Sequence, residues 1–447
     1  MRISLVVISV VFLFLNLNAQ KNKTTDSVQG LNLDQCIVYA LQHQPAVLQA
    51  AVGIRIAQKT NLINLSAWIP QLNLSGSLIH YYQLPTAFIT NPIDPEGPLL
   101  VEHTGVNYTF IPQLSATETL FSPYVLFAAK SAHYYVQQAK QSSDSTKINL
   151  IATVSKAFYG LLNNVEQIKV LKEDTARLTK NLKDTYHQYV GGIVDKTDYK
   201  EATISLNNSK AQLKQTEENM RPLYASLKQL IGFPPEKEFT ASFDTLQMIR
   251  EITFDTAQQL NYEKRIEYQQ IQTAKFLQKQ TIRYYQSQYL PTVSAFYNYD
   301  YECETNTLPN LLSQVYPYSY LGATVSIPIF TGFQRVASIQ KAKLQAENIN
   351  YSELNLKSSI YSDYTSALAN YKGNFYNLTL LKENVTMAKD VYVVVSLQYK
   401  QGVVAYLNVI TAESNLISSE ISYLNALFQV LSSKVDLEKA MGNIAVK

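Results

Sequence analysis

The chain has 447 residues and a formal charge of +3. That balance gives no argument for a nucleic-acid partner, and two cysteines far apart, Cys36 and Cys303, exclude a disulfide framework and read as unpaired. Only 14 Gly and 15 Pro predict long uninterrupted elements, while Tyr is abundant at 32 and much of it clusters with Phe in two regions.

In chain order, Arg2 is followed by an apolar run from Leu5 to Leu17 and then Asn18-Ala19-Gln20 before the polar shift at Lys21. One cation, a short apolar core and a small residue read as a secretory signal peptide over residues 1–19. No later segment has 18 consecutive apolar residues, so no helical span is expected after it.

The remainder repeats once. Tyr189-Val190-Gly191-Gly192-Ile193-Val194 matches Tyr399-Lys400-Gln401-Gly402-Val403-Val404, an offset of 210, and Ile231-Gly232 matches Met441-Gly442 at the same offset. Leu120-Phe121-Ser122 matches Ile329-Phe330-Thr331 at 209, whereas Trp68-Ile69-Pro70 matches Tyr289-Leu290-Pro291 at 221. The first copy therefore carries 12 extra residues between Pro70 and Phe121. They fall in the Pro- and Gly-rich stretch Pro85 to Gly105, which reads as a loop. Copies at 31–235 and 254–442 are joined by a linker at 236–253.

Four short segments alternate apolar and polar residues, at about 70–82, 106–120, 290–302 and 319–329. Each has the length of a tilted strand that crosses a bilayer. One face carries mostly small uncharged residues suited to a wet lumen, with Asn73, Asn107 and Asn298 as lumen candidates, and Phe296 interrupts that set. The other face is apolar, with aromatics near its ends. A half-buried soluble sheet alternates in the same way, and the signal peptide favours the membrane. Between strands, apolar stripes recur every three or four residues, as at Val154, Phe158 and Leu161 or Leu378, Leu381 and Val385. Such stripes are coiled-coil seams. Pro123 to Val190 has no strong breaker and predicts a rod of ~100 Å, with Ser142 to Ser145 as a candidate local break. Lys279 and Arg283 lead into the third strand, either meeting lipid phosphates or lying on a solvated face.

Four strands cannot close a barrel, because the smallest use ~8, and lipid does not tolerate open edges. Copies must share the sheet. Three copies supply twelve strands, and two leave a lumen filled by side chains, so a homotrimer suits a conduit.

The order helix, strand, loop, strand, long helix, turn, long helix, met twice, resembles the TolC family of outer-membrane efflux proteins. The residues that carry the resemblance are Trp68-Ile69-Pro70 and Tyr289-Leu290-Pro291, the returns Leu120-Phe121-Ser122-Pro123 and Ile327-Pro328-Ile329-Phe330-Thr331-Gly332, and the turn from Gln398 to Leu416. The resemblance covers about residues 31–442. It implies a mainly α chain with a transmembrane β part: a homotrimeric 12-stranded barrel in outer-membrane lipid, continued by a long periplasmic α-helical barrel. The tip would meet a periplasmic adaptor protein and an inner-membrane pump that supplies the energy, in an efflux or type I secretion system. No reaction and no cofactor are implied.

Gly191, Gly192 and Gly402 punctuate the two helix pairs where a tight reversal calls for positive φ, and they mark the tips expected to dock the adaptor. In the family, acidic residues after the second turn ring the periplasmic entrance. The corresponding residues here are Asn408 and Thr411, both neutral, whereas the parallel positions of the first copy are Asp198 and Glu201. Those two acids either form the charged ring or simply sit at a helix start, where the dipole favours them. His43, His80, His103, His133 and His187 show no metal-ligand spacing, and no nucleophile elbow or P-loop occurs. The reading from another class is a secreted coiled-coil structural or adhesive protein.

Overall fold

The computed structural model describes residues 30–90, 92–242, 249, 252–256 and 258–446. The expected signal peptide at 1–19 lies outside the described residues. Among the described residues two helices come first, α1 (Leu33–His43) and α2 (Pro45–Leu65). Asn32 caps α1 in a capping box with Gln35, and Pro45 starts α2 at a position where a missing N–H costs nothing.

Four strands build one antiparallel sheet in the order β1 (Gln71–His80), β4 (Tyr108–Phe121), β5 (Thr292–Thr305), β6 (Val315–Ser326). The stretch from Pro85 to Gly105 is not plain loop. It holds a hairpin of β2 (Thr86–Ile89) and β3 (Leu100–His103). Pro92, Pro95 and Pro98 all fall in its tip, so the flanks keep their ladder donors.

Long helices follow each half of the sheet. The first half leads into α3 (Pro123–Val190), α4 (Lys196–Glu218) and α5 (Met220–Ile231). The second is entered through α6 (Ile266–Ser287) and leads into α7 (Gln334–Lys400) and α8 (Tyr406–Met441). The candidate break at Ser142 to Ser145 does not occur: α3 runs unbroken for 68 residues. Buried Ser143 and the Thr146 hydroxyl, which donates to Ser142 O at 3.1 Å, stay inside the helix. The interruption falls instead between α4 and α5, at Asn219.

The main core sits where both halves converge, not in the sheet. Val154, Phe158 and Leu161 of α3 pack there with Leu227 and Ile231 of α5, Tyr371 of α7 and Val430 and Leu437 of α8. The residues expected to form a linker contribute to this core: Phe239 and Ile252 are buried. Leu31 pairs with Ala241, and the Tyr371 hydroxyl donates to Ile252 O at 2.7 Å and accepts from Phe254 N at 3.0 Å. The two copies also share a helix-end device. Gly232 (φ 71°) and Gly442 (φ 70°) both end helices in the left-handed conformation. A Cβ on Gly232 would stand 2.7 Å from His43 O, and one on Gly442 2.7 Å from Lys264 O. Buried Arg265 donates to Ala440 O at 2.9 Å and so covers the end of α8. Cys36 and Cys303 are buried and unpaired.

Candidate functional site

The sheet is open. Its edges are β1 and β6, and their register reaches only one neighbour each, β4 and β5. One face is apolar and bare: Leu72, Leu74, Tyr297, Tyr299, Leu321 and Val325 are all exposed. Leu74 and Leu321 are each 79% exposed, a large loss for a strand side chain in water. The register Leu72–Ala116–Tyr297–Leu321 runs that face across all four strands.

The opposite face is polar. Asn73, Ser115 and Asn298 lie in one row. Asn107 does not join them. It precedes β4, accepts from Tyr81 N at 2.8 Å and donates its own N–H to Asn306 Oδ1 at 3.2 Å, so it closes the turn above the strands. Phe296, the exception to the polar set, lies across from Gly322. A Cβ there would come within 2.4 Å of the ring, so the aromatic fills the place of the missing side chain.

One feature of this face went unread in the sequence. β5 extends to Thr305, so Glu302 and Glu304 continue the alternation of Asp300 onto the polar face. Asp300 is 1% exposed and accepts from Gln113 Nε2 at 2.7 Å. Segments 60–129 and 284–334 contain no Lys or Arg, yet include Asp94, Glu96, Glu102, Glu118, Asp300, Glu302 and Glu304. The three β5 acids lie in the half of the sheet away from the helices. Counting signs along the strands would have found this; sorting residues only into apolar and polar hid it.

At the far ends of the helices stand two equivalent turns. Ile193 N donates to Gln188 O (2.8 Å) and Val403 N to Gln398 O (2.9 Å), the same six-residue closure. Gly192 (φ 73°) and Gly402 (φ 76°) supply the left-handed residue. Gly191 does not. It has φ −76°, because the residue that closes α3 is still right-handed and only the next one reverses. Asp198 lies half-buried in the first turn of α4, and Glu201 is half-buried one turn later. Asn408 and Thr411 are exposed, and the Thr411 hydroxyl donates back to Leu407 O at 2.9 Å. The two turns are joined by a second apolar cluster, Ala202 with Tyr406 and Val409, and by the Tyr399 hydroxyl, which donates to Gln188 Oε1 at 2.7 Å. Tyr199 stacks on Tyr189 at 6.0 Å between ring centroids. Burial pushes the Tyr406 phenol up to about 12. Lys279 and Arg283 are both exposed near the end of α6.

An open sheet with a bare apolar face, joined end to end with helices of 68 and 67 residues, has matches among known proteins. The family model described as "Outer membrane efflux protein" matches residues 36–233 and 268–443. The chain belongs to that family. It is 19% identical over 425 residues to the outer membrane protein TolC of Vibrio cholerae, covering 94% of this chain and 93% of that protein. The fold is similar to that of VceC from Vibrio cholerae, with a TM-score of 0.70, 15% identity and coverage of 92% and 96% of the two chains. It is also similar to the open state of the Neisseria gonorrhoeae MtrE channel, with a TM-score of 0.72, 19% identity and coverage of 92% and 88%. The efflux-family chain is thus an outer-membrane protein of TolC-like fold whose helical part is periplasmic. The reading as a secreted structural rod falls with that membership.

Proposed function

We propose that this efflux-family chain is one third of a passive exit duct. Three copies pair β1 of one with β6 of the next to close a twelve-stranded barrel, and the helices continue it into the periplasm. The observation that carries this is the four-stranded sheet with an exposed apolar face and two unpaired edges, which water and lipid both penalise until neighbours close it. Exposed apolar residues on α7, among them Met387, Val391, Val394 and Leu397, supply further surface for a neighbouring copy. The duct catalyses no reaction and takes no cofactor. A periplasmic adaptor meets the turns at Gly191–Gly192 and Gly402, and an inner-membrane pump drives export in a tripartite efflux or type I secretion assembly. The test is purified protein in a planar bilayer, with its mass in detergent measured in parallel. Discrete pores from a trimer are expected; a monomer without pores would refute the reading.

Charge along the duct supports passage of cations over anions. The β5 acids line the outer mouth with no opposing Lys or Arg, and single-sign walls concentrate counter-ions. At the periplasmic entrance, rings of Asp198 and Glu201 take the place that neutral Asn408 and Thr411 leave uncharged. Two variants separate the ends. Glu302→Gln with Glu304→Gln is expected to shift the reversal potential toward non-selectivity under a gradient imposed on the outer side. Asp198→Asn with Glu201→Gln is expected to do so under a gradient on the periplasmic side. An unchanged potential in the second variant means those acids only favour the α4 dipole.

A further inference from the structure

Deep in the helical part, about four turns from the tip, charged groups are buried that the duct itself does not require. Asp174 and Glu413 have side chains 1% and 2% exposed, on α3 and α8. Both border a groove of about 510 Å³ between α3, α4 and α8, whose walls mix polar side chains such as Ser209 and Gln212 with apolar ones such as Leu178, Ile410 and Ile417. One guanidinium serves the two acids. Arg177 Nη2 lies 3.4 Å from Asp174 Oδ1, and Arg177 Nε lies 3.5 Å from Glu413 Oε1. Asp174 also accepts from the Ser209 hydroxyl at 2.7 Å, and Glu413 Oε2 from Asn181 Nδ2 at 3.2 Å. Glu413 Oε1 makes no hydrogen bond. The groups facing the pair are Arg177 and Asn181 on α3, Ser209 on α4, Tyr392 on α7, and Tyr406 and Glu420 on α8, with Glu173 and Lys389 beyond them beside Glu420.

We propose that Asp174 and Glu413 form a proton-binding site in the wall of the helical barrel, a carboxyl pair that holds one proton across the contact of α3 with α8. Two buried carboxylates and one guanidinium leave one negative charge uncompensated, and burial of such a charge is costly. A bare metal cation fits poorly, because Arg177 already occupies the space between the oxygens. A proton removes the charge without displacing it, and the protonated oxygen becomes a donor. Burial, then the neighbouring Asp174 charge, raise the Glu413 carboxyl from 4.5 to about 7, against the pull of Arg177. Burial likewise raises Asp174. Below the unfolded value both states hold the proton and the contact is fully stable. As pH rises through about 7 the folded state must give it up, and stability is lost. At that point α8 is held less firmly to α3, which eases widening of the barrel; this last step rests on the duct reading.

The test uses the full chain in detergent. Infrared spectra are expected to show a protonated carboxyl band that persists to near neutral pH and vanishes by about pH 8.5, far above the ordinary Glu range. The band should be absent in Glu413→Gln. Melting temperature should fall by a few degrees between about pH 5 and about pH 8 in the natural chain and stay level in the Gln variant. No such band at pH 6, or the same band and slope in Glu413→Gln, overturns the site. If the variant does not fold, the infrared titration of the natural chain decides alone. In bilayers, pore opening is expected to rise with pH in the natural chain only. Pores that ignore pH beside a titrating band would overturn the coupling to passage and leave the proton site standing, while absence of any pore would tell against the duct reading.

Discussion

Alanine at Gly232 or Gly442 is expected to destabilise the chain far more than alanine at Gly192 or Gly402. All four adopt positive φ, so each substitution strains the backbone by roughly 1 kcal/mol. At the two tip turns a Cβ meets nothing within 4 Å, and the loss ends there. At Gly232 and Gly442 it meets the carbonyl of His43 or Lys264 at 2.7 Å, and backbone cannot swing aside. Forcing atoms into such a site adds roughly 1–3 kcal/mol. The position is also the junction where α1 and α5, or α8 and the start of α6, lock against the core. Thermal unfolding of the four single variants, followed by circular dichroism, measures this. Equal losses at all four would show that the close approach carries no energy.

The second large effect belongs to the sheet. Leu321→Arg or Leu74→Arg places a cation on the bare apolar face, at positions 79% exposed. In lipid a cation at mid-depth costs roughly 2–4 kcal/mol per chain, and a closed trimer would bear it three times. Thr324→Arg lies on the opposite, polar face by register with Ser294 and is expected to fold normally. Folding into vesicles under a urea gradient separates them. If Thr324→Arg proved as damaging as Leu321→Arg, the assignment of faces would be reversed or the sheet would not meet lipid at all.

Much of this architecture is written in local periods. Alternation placed the sheet strands, because side chains on a strand switch faces at every residue and no distant partner is needed to see it. The stripe at Val154, Phe158 and Leu161 marked the seam of α3, and all three residues are buried. The spacing of Gly192 to Gly402, and of Gly232 to Gly442, is the same 210 residues. The sequence did not reveal that the first pair caps open turns and the second is wedged against backbone, since spacing records which residue recurs and not what stands beside it.

Other features emerged only when distant segments met. Phe296 broke a pattern in its own strand and is explained by Gly322, a partner 26 residues on that the register brings beneath the ring. Phe239 and Ile252 fell in the expected linker because they lie between the two copies, yet packing against the core buries both. Glu413 sits in the sequence as an ordinary acid of a helix, and only the approach of α3 buries it beside Asp174 and Arg177. By itself the sequence determined the four strands of the main sheet, the long helices and the two-sided alternation, since each follows from periods of two or of three to four along one segment. Which charges are buried together, and which glycines lie against backbone, was decided by tertiary contacts between residues far apart in the chain, and no local period encodes a distance across space.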